Sequence, residues 1–425
     1  MKKSLMILMV CSFFYASAQE EHINYKLPNS NEDLSFVWGE KNKDTAVVKV
    51  LLENAPRYFN APGMPRFAMI GKDRKFYLGI GGYVKASLSY DWGNPINNTC
   101  MFETSNIPMN NPPGNKALIQ FGAQTSTLNV NFVGLPGTKN QIGCYFNLNF
   151  TNPNYGLFVL NAYAKYRGFT AGYNFSLFTD VMAGPPTIDF QGPNSLTLVP
   201  NAVLDYEKQF GKHWSIGIGL EMPISNYTVS DSAISVNQVA PDIPAYVQFS
   251  WNKRNSWIRL SGILRNMQYR DLVVEKNQNS IGWGAKLSGS AAITKWVTTY
   301  YQIVCGKGIA NYIQDLNGKA MDMTPSEEHI GRLSNVGAWG GYFGIQINLP
   351  KNVLLSCTYS GVDIFENNYE APGQYKSAQY IVANLFWNIA PNVQMGIEYL
   401  YGDRKNQNLV QRNNNRTQAM IQVNF

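Results

Sequence analysis

From Phe76 onward apolar and polar residues alternate with a period of two, the spacing that puts successive side chains on opposite faces of a strand. In the last such stretch Thr417, Ala419, Ile421, Val423 and Phe425 share one face, and Arg416, Gln418, Met420, Gln422 and Asn424 share the other. Ile142, Cys144, Phe146, Leu148 and Phe150 alternate in the same way with Gln141, Tyr145, Asn147 and Asn149. Trp339, Phe343, Ile345 and Ile347 alternate with Gly340, Tyr342, Gln346 and Asn348, and Val393, Met395, Ile397, Tyr399 and Tyr401 with Gln394, Gly396, Glu398 and Gly402. A sandwich would need two inner faces against one shared core, and it rarely keeps this pattern over so many segments.

The connectors separate the alternatives. Gly134 to Lys139, Arg167-Gly168, Phe210 to Lys212, Asn252 to Arg254, Leu349 to Asn352 and Ala390 to Asn392 are short. Between them lie longer polar stretches: Gly93 to Asn115, Thr179 to Val199, Val229 to Asp242, Lys307 to Asn335, Phe365 to Tyr375 and Lys405 to Asn413. Asn152 to Tyr155 is a short exception on the long side. Short turns at one end and long loops at the other predict an all-β fold, a transmembrane antiparallel β-barrel of about 16 strands with both ends on the short-turn side. Trp214, Trp251, Trp257, Trp296 and Trp387 fall beside short turns, where a membrane–water interface would suit them.

The N-terminus breaks the pattern. Lys2 and Lys3, an apolar run from Leu5 to Tyr15 and the small residues Ala16-Ser17-Ala18 read as a secretory signal over residues 1–18. The run is too short to span a bilayer as a helix, and Val10 before Cys11 does not suit lipid attachment. Residues 19–75 are expected to form a periplasmic extension with a short helix from Thr45 to Asn54, and residues 76–425 the barrel. Together these place the protein in the outer membrane of a Gram-negative bacterium, with outer-membrane lipid and the insertion machinery as partners. Phe425 is the candidate insertion signal, a terminal aromatic on an alternating strand.

Composition agrees with a wall between lipid and water. Charged residues are 15% of the chain, against about 25% in typical soluble domains, and aromatics are 13%. Mean hydropathy is −0.23, as alternation averages out. Loss of Lys2 and Lys3 lowers the formal charge from +7 to +5, which points to no nucleic-acid partner. Cys100, Cys144, Cys305 and Cys357 show no disulfide or metal-ligand spacing.

No catalytic chemistry is indicated. His22, His213 and His329 are scattered, and no serine–histidine pair, metal cluster or cofactor motif stands out. Gly79 to Gly82 lies inside the first strand and reads as packing rather than a phosphate cradle. The chemistry lies instead on the polar face. In Trp257 to Tyr269, Ile258, Leu260 and Leu264 oppose Arg259, Ser261 and Arg265. A lipid-facing arginine at mid-membrane costs about 2–4 kcal/mol, so these arginines are expected to line the pore. The same reasoning places Lys85, Lys165, Lys286, Arg416, Asp205, Glu207, Glu221 and Glu398 there. The long connector after the fifth strand carries two stiff bends, at Pro185-Pro186 and at Gly192-Pro193-Asn194, with Asp180 and Asp189 as its charges. It is expected to fold inward as a constriction.

The run Ala162 to Asn194, AYAKYRGFTAGYNFSLFTDVMAGPPTIDFQGPN, is similar to the DcaP-like trimeric porin family. Gly79 to Lys85, Tyr90-Asp91, Phe102 to Pro108 and Glu221-Met222-Pro223 resemble it as well. The resemblance implies a homotrimer of 16-stranded barrels passing small hydrophilic, often anionic, solutes such as dicarboxylates. Two features depart from it: a long periplasmic coiled coil is absent, and Leu198-Val199-Pro200 and Leu204-Asp205-Tyr206 stand where arginines are expected. The expected function is passive diffusion through a loop-narrowed pore. The alternative is a structural or adhesive barrel with a blocked lumen.

Overall fold

The computed structural model describes residues 34–38, 50, 51, 53–57, 59, 67–71, 74–110, 113–367, 369 and 371–425. The expected signal peptide and His22 lie outside the described residues. The wall opens with β1 (Phe76–Gly93) and with β2, which runs in two pieces, Ala117–Gly122 and Thr127–Gly134. There follow β3 (Ile142–Asn152), β4 (Gly156–Tyr166), β5 (Phe169–Phe175), β6 (Pro200–Phe210), β7 (Trp214–Glu221) and β8 (Ile243–Trp251). The second half comprises β9 (Ser256–Asp271), β10 (Lys276–Ala292), β11 (Val297–Lys307), β12 (Gly337–Leu349), β13 (Val353–Glu366), β14 (Tyr375–Ala390), β15 (Val393–Asn406) and β16 (Gln411–Asn424). Each strand pairs antiparallel with the next, and β16 returns to β1 from Asn424↔Tyr83 to Asn414↔Gly93, closing a 16-strand barrel. Closure removes every free sheet edge, as a wall in lipid requires.

The alternation sets the two faces. In β9 Ile258, Leu260 and Leu264 are exposed, while Trp257, Ser261, Ile263 and Arg265 are buried inward. In β16 Ile421, Val423 and Phe425 are exposed outward, while Arg416, Gln418 and Met420 are buried. Gly82 marks the closing seam: its backbone exchanges two hydrogen bonds with Phe425, and a Cβ there would lie 2.1 Å from the Thr127 carbonyl oxygen. The Arg167-Gly168 turn has φ of 49° and 88°, the two positive values a two-residue hairpin favours.

Three expectations are revised. Trp257 is not an interface anchor: its ring is buried and its Nε1–H donates to Asp180 Oδ2 at 3.0 Å. The last connector is shorter than the polar run from Lys405 to Asn413, because β15 and β16 pair through Lys405↔Gln411. Polar residues there are strand residues, which polarity alone could not separate from loop. A further short turn on the long-loop side joins Asp271 to Lys276. Two strands precede the barrel: Phe67–Gly71 pairs with β1 at Ile70↔Tyr77 through Phe67↔Ile80, and Leu34–Trp38 pairs with Phe67–Gly71.

Candidate functional site: the lumen and its crossing loop

Residues 176–199 leave β5, cross the barrel and return to β6, bonded to inward side chains of nine other strands, among them β7, whose Glu221 accepts the Leu177 N–H at 2.9 Å. Asp180 accepts from Trp257 on β9 and from Ser288 Oγ on β10 at 2.8 Å, with the Arg259 guanidinium 3.9 Å away. Tyr342 on β12 donates to the Ala183 carbonyl at 2.9 Å, and Asn384 on β14 to that of Pro186 at 2.8 Å. Glu398 on β15 grips the bend, accepting the backbone N–H groups of Ile188 at 2.7 Å and Asp189 at 2.9 Å. Lys85 on β1 donates to the Ile188 carbonyl at 2.9 Å. Asn194 accepts from Ser360 on β13 at 2.6 Å, Gln302 on β11 donates to the Ser195 carbonyl at 2.7 Å, and Lys286 on β10 donates to Thr197 at 3.0 Å. The irregular backbone thus finds partners on the wall, the condition for non-helical chain at membrane depth.

The two bends serve this seat. Pro185 and Pro186 fix φ where the chain turns between Tyr342 and Asn384. Gly192, with φ of 70°, followed by Pro193 returns it toward Ser360. Asp189 is buried, accepts from Tyr380 and from the Phe102 backbone, both at 2.9 Å, and has its pKa pushed up to about 7 by burial and then by the neighbouring Glu398. Two outer loops lie against the crossing segment. Phe190 N–H donates to the Cys100 carbonyl, and Gln314 and Asp315 N–H donate to the carbonyls of Leu196 and Asn194. Phe178 and Val199 join Tyr312, Ile313, Leu316 and inward wall residues in an apolar cluster.

A closed barrel of short turns and long loops, crossed by its third loop, has known relatives. Residues 78–424 match the Porin subfamily. The chain belongs to that family. Its fold is similar to the outer membrane channel DcaP of Acinetobacter baumannii, with 15% identity, a TM-score of 0.71, and 82% of this chain and 97% of that one covered. An anion-selective porin from Comamonas acidovorans aligns at 10% identity and TM-score 0.52, covering 82% of this chain and 100% of that one. Salmonella typhi OmpF aligns at 11% and 0.52, covering 83% and 98%. No curated protein matches the sequence. The protein is an outer-membrane porin of a Gram-negative bacterium, a channel for passive diffusion.

The ten charged residues expected to line the pore differ in surroundings. Lys85, Arg265, Lys286, Arg416, Asp205, Glu221 and Glu398 are all buried, at no more than 2% exposure. These seven therefore do not line an open pore: loop segments or carboxylate partners lie against six of them, and Asp205 is buried with Oδ1 unbonded. Arg265 is clasped by Asp242 at 3.0 Å and by Asp322 at 3.1 Å, and Arg416 by Asp91 at 2.6 Å. Arg259 keeps 17% of its side chain exposed, Lys165 is half-buried and Glu207 is exposed. Sequence reading missed the partners Asp91, Asp242 and Asp322. Asp91 could have been found, since it sits in register with Arg416 across the closing seam. Asp322 lies on a loop that no local pattern places. Among the described residues no group of histidine, cysteine or carboxylate side chains could hold a metal ion.

Proposed function

We propose that this porin's bore is set where residues 176–199 cross it, so that small hydrophilic solutes pass and larger ones are excluded. The Glu398 carboxylate holding two consecutive backbone N–H groups of the loop supports this, because such charge-assisted bonds fix the bend against the wall. Asp180, Pro185, Pro186, Asp189, Gly192, Pro193 and Asn194 are the constriction residues of this reading. A liposome-swelling series of neutral solutes of increasing size tests it. Entry should fall steeply with size, and an absence of any size limit would sink it.

Selectivity follows from which inward charges remain unneutralised. Arg265 and Arg416 are matched by carboxylates, while Lys85 and Lys286 are held by loop oxygens. Arg259 remains as the solvent-reaching guanidinium, opposed nearby by Asp180. The proposed anion preference is therefore small. A homotrimer is proposed by likeness to the family, and crosslinking in detergent that gives only monomers would remove it. Phe425 is proposed as the signal read by the insertion machinery; unchanged membrane assembly after its deletion would argue against that.

A further inference from the structure

The described part of residues 50–59 does not hang free of the barrel. Val50, Leu51, Glu53 and Asn54 are helical, and Leu51 is fully buried against Ile70, Tyr77 and Val133. Asn54 is seated on the inward faces of β2 to β4. Its amide Nδ2 donates to Asn131 Oδ1 at 2.6 Å and to the Cys144 carbonyl at 3.1 Å. Its carbonyl accepts from the Tyr163 hydroxyl at 2.8 Å, and Asn131 Nδ2 donates to the Leu51 carbonyl at 2.7 Å. Gly143 forms the notch: a Cβ there would lie 1.9 Å from Asn54 Oδ1, so any other residue would displace the amide.

The segment also reaches the opposite wall. Phe59 meets Phe386 of β14 edge to face, with ring centres 4.9 Å apart, and packs on Ile188 of the crossing loop. It therefore enters the lumen from the short-turn end and spans from β2–β4 to β14, beneath the loop. Its hold is modest. Glu53 and Arg57 are exposed, and a cavity of about 440 Å³ opens beside it, lined by Glu53, Asn54, Lys139, Lys165, Arg167 and Glu207.

We propose that the segment represented by residues 50, 51, 53–57 and 59 is an intramolecular plug whose withdrawal toward the periplasm opens the lower half of the pore. The apolar contacts of Leu51 and Phe59 and the Asn54 amide hold it in place. Water would replace it at Asn131, the Cys144 carbonyl and the Tyr163 hydroxyl once it leaves. The proposal rests on the porin reading, and single-channel recording in planar bilayers separates the two. The wild-type protein is compared with a chain lacking residues 19–66 and with the notch variant Gly143→Val, each first shown to be a folded, heat-modifiable barrel. The plug account expects the wild type to dwell in a low-conductance level with brief openings, and both variants to hold a level at least two-fold higher. A deletion that leaves conductance and dwell times unchanged, in a wild type that conducts, overturns the plug and spares the porin. A third variant keeps the test independent of the deletion. An Asn54→Cys, Asn131→Cys pair should hold the low level when oxidised and regain openings on reduction. Openings that persist in the oxidised pair overturn the plug as well.

Discussion

Two segments enter this barrel from opposite ends, and they are held differently. Residues 176–199 are bonded to nine strands through buried charges and neutral donors, and they share an apolar cluster with the outer loops. The described residues of 50–59 rest on the Asn54 amide, on backbone carbonyls held by Asn131, Tyr163 and Lys165, on one glycine notch and on two apolar side chains. Buried charge-assisted bonds are strong and geometrically demanding, and breaking one partner strands the other in a dry site. Neutral amide bonds contribute far less net free energy, because water replaces them readily. The outer segment is therefore held the more firmly, and the inner one is the segment proposed to withdraw.

The comparison is sharpest where a buried charge is stranded. Arg416→Met, at the closing seam, should cost about 3–5 kcal/mol by leaving the buried Asp91 without its cation, held only by the Asn414 amide and the Ile96 N–H. Asn131→Ala, on the amide side, should cost about 1–3 kcal/mol. The temperature at which the folded gel band is lost should fall much further for the first. Equal losses would break the distinction between buried charges and neutral amides on which the comparison rests.

A smaller effect concerns pH. Asp189 has its pKa raised from 3.8 to about 7, by burial first and Glu398 second. A carboxyl raised on folding seats the loop best when protonated. That contribution is complete below about pH 4 and is lost as pH rises through about 7. Conductance should therefore rise between pH 5 and pH 8 as the bend loosens. Asp189→Asn should flatten that rise, and an unaltered pH profile in the variant would place the titration elsewhere.

The smallest effect is on selectivity. Arg259→Ser removes the one inward guanidinium among the ten expected pore charges that water reaches. In a salt gradient the reversal potential should move slightly toward cations, because screening confines each charge to about 8 Å. A large shift would mean that Arg259 stands alone at the narrowest point, without compensation from Asp180.

What could be read from the chain was what is local. A period of two names the lipid face of β9 and β16 residue by residue, since alternation needs no distant partner. The bends at Pro185-Pro186 and Gly192-Pro193 were legible for the same reason. Their seats were not. Arg416 and Asp91 lie 325 positions apart, and Asp189 and Glu398 are brought together only when the barrel closes. The sign of inward charges was readable, but their burial was not, because it depends on loops folding back over them. The Gly143 notch looks like any strand glycine until Asn54 is placed in it.

The most direct test of a pore narrowed by its third loop is the single-channel conductance of a chain in which residues 181–196 are replaced by a short Gly-Ser linker. The account predicts that the wild type conducts and that the shortened loop raises conductance several-fold. A silent wild type, or a conductance unchanged by the replacement, would contradict it.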